Sequence, residues 1–184
     1  METYKAPKRA REESVSEAQS EKNRNKIHQK IKTLWKRKEG LDSDFLVNFF
    51  SSYQGFLGVF PENFVSLIPI KRNSFFIINT VKDKVKNGHW IGIRIFSNHA
   101  EIYDSLGPLS LKLYPHMNNF LLFLKKLLKH FKVFVSPQLQ HASSPSCGFY
   151  CLFFLTARTS FDVNLSYFTA NKSLNDEVLR NKLF

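Results

Sequence analysis

Cysteine is scarce in this chain: there are two in 184 residues, at positions 147 and 151. Two thiols, with no His at ligand spacing beside them, make no structural zinc site, so no metal is expected. They make no disulfide framework either, so the expected setting is a reducing compartment. Long apolar runs are also missing. No stretch approaches the length of a membrane span, and the N-terminus lacks an apolar signal core. The expectation is a soluble, intracellular protein with no membrane partner and no Sec-type export. There are no internal repeats. Acidic residues are few, fifteen Asp and Glu against 27 Lys and Arg, giving net +12. That imbalance predicts sequence-independent attraction to polyanions such as nucleic acid, by counterion release.

What is abundant is apolar. Hydrophobic residues make up 43% of the chain, and 19 residues are Phe, enough for one domain with a substantial core. The beginning differs from the rest. Residues 1–40 hold twelve Lys and Arg against six Asp and Glu; the remaining fifteen against nine carry the other half of the charge. Residues 1–38 therefore read as a basic extension, and 39–184 as the folded domain. Lys5, Lys8, Arg9 and Arg11 form a short basic run without core residues, which fits a DNA-binding arm, an import signal or a solvated tail. Ile27, Ile31, Leu34 and Trp35 then follow helical spacing, ending in Lys36, Arg37 and Lys38 before Gly40.

Beyond Gly40, Asp42-Ser43-Asp44 predicts a capped helix carrying Phe45, Leu46, Phe49 and Phe50. Residues 53–61, with two Gly and a Pro, read as a loop. Strands are expected at 74–81, 89–96 and 100–103, the last two joined by a hairpin at Ser97-Asn98-His99. A helix is expected at 115–131 and a fourth strand at 132–136. Another helix is expected from Cys147 to about 160, and short closing helices at 164–168 and 174–183. This order predicts an α+β fold with a small, mainly antiparallel or mixed sheet flanked by helices.

The stretch from Gln140 to Leu155 organises the chain. Three Ser and a Pro precede a long apolar run, which marks a loop entering a helix and puts Cys147 at its start. Unpaired N–H groups and the positive end of the dipole there favour a thiolate, the nucleophilic form. Gly148 leaves room for a substrate backbone, and Gln140 offers an amide N–H toward an oxyanion beside Cys147. A buried structural cysteine opening a core helix is the other reading of the same stretch. Three positions elsewhere weigh on the choice. His89 opens a strand, Trp90 follows it, and Asp104 closes the neighbouring strand. An imidazole, a carboxylate and an amide in this order with a cysteine are the parts of a thiol hydrolase. His141, next to Gln140, is the reserve candidate for the base. Cys151, one turn after Cys147, reads as core.

The ordered set resembles the adenovirus-type maturation proteases, including those of Maverick/polinton elements and adintoviruses, within the clan of SUMO-specific cysteine proteases. The resemblance runs from about residue 45 to the end. It rests on Gly88-His89-Trp90, on Tyr103-Asp104-Ser105-Leu106-Gly107, and on Gln140 separated by six residues from Cys147-Gly148-Phe149-Tyr150-Cys151. Phe56 to Phe60, Ile78-Asn79-Thr80 and Asn175-Asp176-Glu177-Val178 are weaker matches. The resemblance implies Cys147 as nucleophile, His89 as general base and acid, Asp104 as the orienting carboxylate and Gln140 as oxyanion donor. Trp90 and Gly148 would border the substrate. It also implies cleavage of precursor (virion) proteins after small, Gly-containing motifs, and work in the virion and host nucleus. DNA or an activating peptide would be the candidate cofactors of a monomeric enzyme. The adenovirus enzyme has Glu where this chain has Asp104, and tethers its peptide through a third Cys that this chain lacks, so any activator here would bind non-covalently. Two alternatives stand beside this reading: an isopeptidase acting on SUMO- or ubiquitin-like modifiers, and a basic nucleic-acid-packaging protein without chemistry.

Overall fold

The structure is a computed structural model that describes residues 22, 25–80, 88–111, 115–127, 132–157 and 160–184. The basic run at Lys5, Lys8, Arg9 and Arg11 lies outside the described residues. The chain forms two compact units, Met1–Glu39 and Gly40–Phe184. In the first, residues 25–36 are helical (α1), with Ile31 buried and Lys36, Arg37 and Lys38 exposed.

The second unit is α+β, built on one five-stranded mixed sheet. Its strands are β1 (Phe56–Pro61), β2 (Ser74–Asn79), β3 (Trp90–Ile95), β4 (His99–Tyr103) and β5 (Lys132–Val135), lying in that order. The central pairs, β2–β3 and β3–β4, are antiparallel; the outer pairs, β1–β2 and β4–β5, are parallel. The β3–β4 hairpin is as the sequence predicts: Ile95 pairs with Ala100, and Phe96 N–H donates to the His99 carbonyl at 2.8 Å.

Strand β1 is a correction, because its glycines and proline read as a loop. Gly55 and Gly58 take φ of +85° and +136°, and the pairing register shifts between Phe56 and Val59. The glycines mark an irregularity within an edge strand rather than its absence. Pro61 ends that strand at the sheet edge, where a residue without an N–H is tolerated.

Strand periodicity sorts the side chains between two faces. Phe76, Ile78, Ile91, Ile93, Ile95, Ala100 and Ile102 point to one face. There they meet Met117, Phe120 and Leu124 of α4 (Pro115–Leu127) and Val65 of the 3-10 segment Glu62–Leu67. The other face takes α5 (Cys147–Thr156), of which residues Cys147 to Leu155 are all buried. Helix α5 lies close on β3, since a Cβ on Gly92 would sit 3.2 Å from Leu155. Tyr103 stacks on Phe154 with centroids 4.5 Å apart. Helix α2 (Ser43–Phe50) is capped as predicted, Asp42 accepting from Phe45 N–H at 2.6 Å. Two further boundaries differ from expectation. Helix α5 stops at Thr156 because Ala157 is extended, and the next helix, α6, is Phe161–Leu165. It starts early so that Phe161 reaches Tyr103 and Phe134. Helix α3 is one short turn, Pro108–Leu111, and α7 is Lys172–Leu183.

Arg94 fixes the far end of α5. Its guanidinium donates to the carbonyls of Phe154, Leu155 and Ala157 at 3.1, 2.5 and 3.3 Å. Carbonyls at a helix C-terminus lack intrahelical partners, and a planar cation meets several at once. Replacing Arg94 with Ala is therefore expected to cost about 2–3 kcal/mol in chemical denaturation. Arg94→Lys is expected to recover only part, and an unchanged midpoint in Arg94→Ala would contradict this role.

Candidate active site

The Pro145-Ser146 turn delivers the chain into α5 with Cys147 as its first residue. Ser146 occupies the N-cap position but caps no N–H with its side chain. Ser146 therefore supplies no side-chain acceptor to the first turn of α5. At Gly148 an added Cβ would lie 2.9 Å from Leu41 Cβ, so its bareness makes room for Leu41 of the same chain.

The antiparallel β3–β4 pair puts the start of β3 and the end of β4 at the same end of the sheet. His89 precedes β3, held by N–H donation to Thr80 Oγ1 at 3.0 Å and by its carbonyl accepting Thr80 N–H at 2.9 Å. Its ring Nε2 meets Asp104 Oδ1 at 2.7 Å. Asp104 is 0% exposed. Its Oδ1 also accepts Leu106 N–H at 2.9 Å, and Oδ2 accepts the Ser110 hydroxyl. Ser136, just after β5, clamps the Asp104 backbone, accepting its N–H and donating to its carbonyl at 2.9 and 2.8 Å. His89 and Cys147 line the same cleft. With Nε2 on Asp104, Nδ1 is the nitrogen left for the thiol. Burial alone would lower the His89 pKa. The hydrogen bond to Asp104, together with the neighbouring Cys147 and the charges of both, outweighs it and raises the pKa from 6.5 to about 9.

Gln140 is buried in the loop between β5 and α5. Ser105, the residue after Asp104, donates its hydroxyl to Gln140 Oε1 at 2.7 Å, and its carbonyl accepts Gln140 N–H at 2.8 Å. Gln140 Nε2 donates to the Ser144 carbonyl. A carbonyl cannot donate, so this contact fixes which end of the amide is NH2. One amide hydrogen is thereby committed, and the second remains.

Cys147, His89, Gln140, Trp90, Leu106 and Ser144 line one cleft of about 710 Å³. Segment 40–43 forms another part of its wall. Trp90 has a double role: it borders the cleft, yet it is 6% exposed and its indole N–H donates to the Leu41 carbonyl at 2.8 Å. A thiol, a proton-holding imidazole, a buried carboxylate and an oriented amide at one cleft are the parts of acyl transfer through a thiolate.

The family model described as adenovirus endoprotease matches residues 56–175, a span that holds all four of these residues. The chain belongs to the adenovirus endoprotease family. It is a cysteine protease. No curated protein sequence matches it. Among solved structures the protease is similar to the ASFV pS273R protease, at 16% identity over 97% of this chain and 92% of that one, with a TM-score of 0.46. It is also similar to ChlaDub1 from Chlamydia trachomatis, at 17% identity over 59% of this chain and 56% of that one, with a TM-score of 0.37.

Of the other positions singled out in the sequence, His141 is exposed and its Nδ1 faces Ser143 Oγ at 2.8 Å. Cys151 is 1% exposed, and burial, then the charges of Cys147 and Asp104, push its thiol well up. Both cysteines are free thiols. Among the described residues, no three His, Cys, Asp or Glu side chains gather as a metal site would need. Sequence reasoning missed Ser105, Ser110, Ser136 and Ser144, which hold the carboxylate and the amide in place. Serines in turns carry no local signal of such contacts; only Ser105, beside Asp104 in the family motif, was within reach.

The raised His89 pKa has a consequence for stability. Folded His89 binds its proton more tightly than the unfolded chain does. Its contribution is complete below pH 6.5 and is lost as pH rises through about 9. The thermal midpoint is expected to fall across that window in the wild type and to fall less in His89→Gln. Equal slopes for the two proteins would contradict it.

Proposed function

We propose that the protease cleaves peptide bonds with Cys147 as nucleophile, His89 as base and acid, Asp104 as orienting carboxylate and Gln140 as oxyanion donor. The supporting observation is the His89 ring, joined to Asp104 at 2.7 Å and lining one cleft with Cys147 and Gln140. The proton rests on His89, and the Cys147 thiolate attacks the carbonyl carbon of the scissile bond. The oxyanion of the tetrahedral intermediate takes the second Gln140 amide N–H and the first-turn N–H of α5. His89 gives its proton to the leaving amine, which departs and leaves a thioester on Cys147. His89 then takes a proton from water as it attacks the thioester, which releases the acid product and restores the thiol group. Asp104 keeps the ring in one orientation and offsets its positive charge without itself being protonated.

The substrates on this reading are precursor proteins of a virion, cut after small, Gly-containing motifs. Trp90, Leu106 and Leu41 border the cleft with bulky apolar surface, which favours residues without side chains beside the scissile bond. Cys147→Ala and His89→Ala are expected to abolish cleavage of Gly-Gly peptides, while Cys151→Ala keeps substantial activity. Gln140→Ala is expected to lower turnover by about 10²- to 10³-fold with little change in KM. Activity surviving in Cys147→Ala, or a Gln140→Ala defect confined to KM, would overturn the assignment.

The same reading includes association with DNA, in the virion and host nucleus, by a monomeric enzyme for which a non-covalent peptide is a candidate activator. Its support is the net charge of +12, with half in residues 1–40, including Lys36, Arg37 and Lys38, all exposed. Duplex binding is expected to weaken steeply with salt, and deleting residues 1–38 to reduce the slope of log affinity against log salt. Equal slopes for the full chain and the truncation would remove the arm from the interface.

A further inference from the structure

We propose that Asp176, on the closing helix α7, is a positioning residue: it ties α7 to the loop before Cys147 and to the first turn of α5, and thereby aims the Gln140 amide. This rests on the roles of Cys147 and Gln140 given above. Asp176 Oδ2 accepts the Ser144 hydroxyl at 2.5 Å and the Ser146 hydroxyl at 3.2 Å, and Oδ1 accepts the Tyr150 hydroxyl at 3.2 Å. The two serine oxygens are 2.6 Å apart. Each hydroxyl has one proton: that of Ser144 goes to Asp176, and that of Ser146 is shared between Ser144 Oγ and Asp176 Oδ2. Three hydroxyls from positions 144, 146 and 150, spanning Cys147, therefore converge on one half-buried carboxylate.

The geometry of Gln140 depends on this knot. The carbonyl that accepts Gln140 Nε2 belongs to Ser144, whose side chain Asp176 holds. Moving Ser144 moves the committed hydrogen of the amide, and with it the direction of the free one. The neighbouring Asn175 is 0% exposed and grips the other side of Gln140, its Nδ2 donating to the Leu139 carbonyl and the Thr169 carbonyl, both at 3.0 Å. Thr169 N–H donates to Asn175 Oδ1 at 2.8 Å, which sets that amide's orientation. The first part of α7 thus brackets Gln140, with Asn175 before it and Asp176 after it. Burial, then the charge and hydrogen bond of Asp176, push the Tyr150 hydroxyl up, so it stays a donor. A carboxylate suits this place because it only accepts, and all three partners are hydroxyls with a proton to give. The Ser146 hydroxyl is drawn toward α7, and it makes no capping bond to the first turn of α5.

The test is steady-state cleavage of a Gly-Gly peptide by the full chain carrying Asp176→Ala, Gln140→Ala, both together, Asp176→Asn, Glu177→Ala and Cys147→Ala. Asp176→Ala is expected to lower kcat about 10-fold with KM changed less than about 2-fold. Asp176→Asn, which keeps an acceptor oxygen, should retain more kcat than Asp176→Ala, and the exposed Glu177→Ala should match wild type. In the Gln140→Ala background, Asp176→Ala should cost less than about 2-fold, because the two act through one geometry. A purely structural Asp176 would lower the amount of folded enzyme equally in both backgrounds; such additivity would overturn the proposal, as would a wild-type kcat in Asp176→Ala. If Asp176→Ala does not fold, Ser144→Ala, which cuts the tie but keeps the carbonyl, takes its place in the same cycle with the same outcomes. Cys147→Ala separates the two levels. If it is inactive while the Asp176 and Ser144 arms fail, only this inference falls; if it is active, the mechanism itself falls.

Discussion

A carboxylate with no exposure to water cannot be left with free lone pairs, and Asp104 is such a carboxylate. Desolvating it costs several kcal/mol unless hydrogen bonds and a cation replace the lost water. The replacements come from around the sheet end: the His89 ring, the Leu106 N–H and the Ser110 hydroxyl on the carboxylate, and Ser136 on its backbone. The turn after β4, the short helix α3 and the end of β5 take their positions in meeting that demand. His89 is also thereby turned, with one nitrogen committed and the other left for Cys147. The next residue, Ser105, holds Gln140 by both side chain and backbone. One four-residue turn, Asp104 to Gly107, thus supports both the imidazole and the amide.

The second support is the mounting of α5. It has almost no polar surface of its own and is held from outside. Arg94 meets the carbonyls at its C-terminal end, and Leu155 packs where Gly92 leaves space on β3. At the other end Leu41 occupies the space beside Gly148, and the Trp90 indole holds the Leu41 carbonyl. A first residue on a helix fixed at both ends has little freedom of position. That suits a nucleophile whose partners must stay within hydrogen-bond reach.

Much of the site was legible because its members stand where local patterns change. Cys147 follows a Pro-Ser turn and opens an apolar run, His89 stands just ahead of an Ile-rich strand, and Asp104 follows the last strand residue. Each is a boundary, and boundaries can be read from periodicity and turn chemistry. Gln140 came from its amide chemistry a short way ahead of Cys147, and from the family motif, rather than from any periodic pattern of its own. Strand β1 was missed because Gly55, Gly58 and Pro61 look the same in an irregular edge strand as in a loop. Its identity is a matter of pairing with β2. Asp176 was visible only as part of a weak match near the C-terminus, since nothing nearby in sequence shows that three hydroxyls from the other side of the domain meet it.

The sequence by itself determined the α+β class, the two-faced strands, the helix that begins at Cys147, and the excess of positive charge. These follow from side-chain type and spacing over a few residues, which is the range at which helix and strand preferences act. Only the tertiary structure decided that Gly148 makes room for Leu41, that the Gln140 amide presents its NH2 to Ser144, and that His89 meets Asp104 through Nε2. It also decided that the outer strands pair in parallel. Each of these depends on groups distant along the chain being brought within about 3 Å, where hydrogen-bond direction and steric contact are set. Local propensity carries no information about such distances.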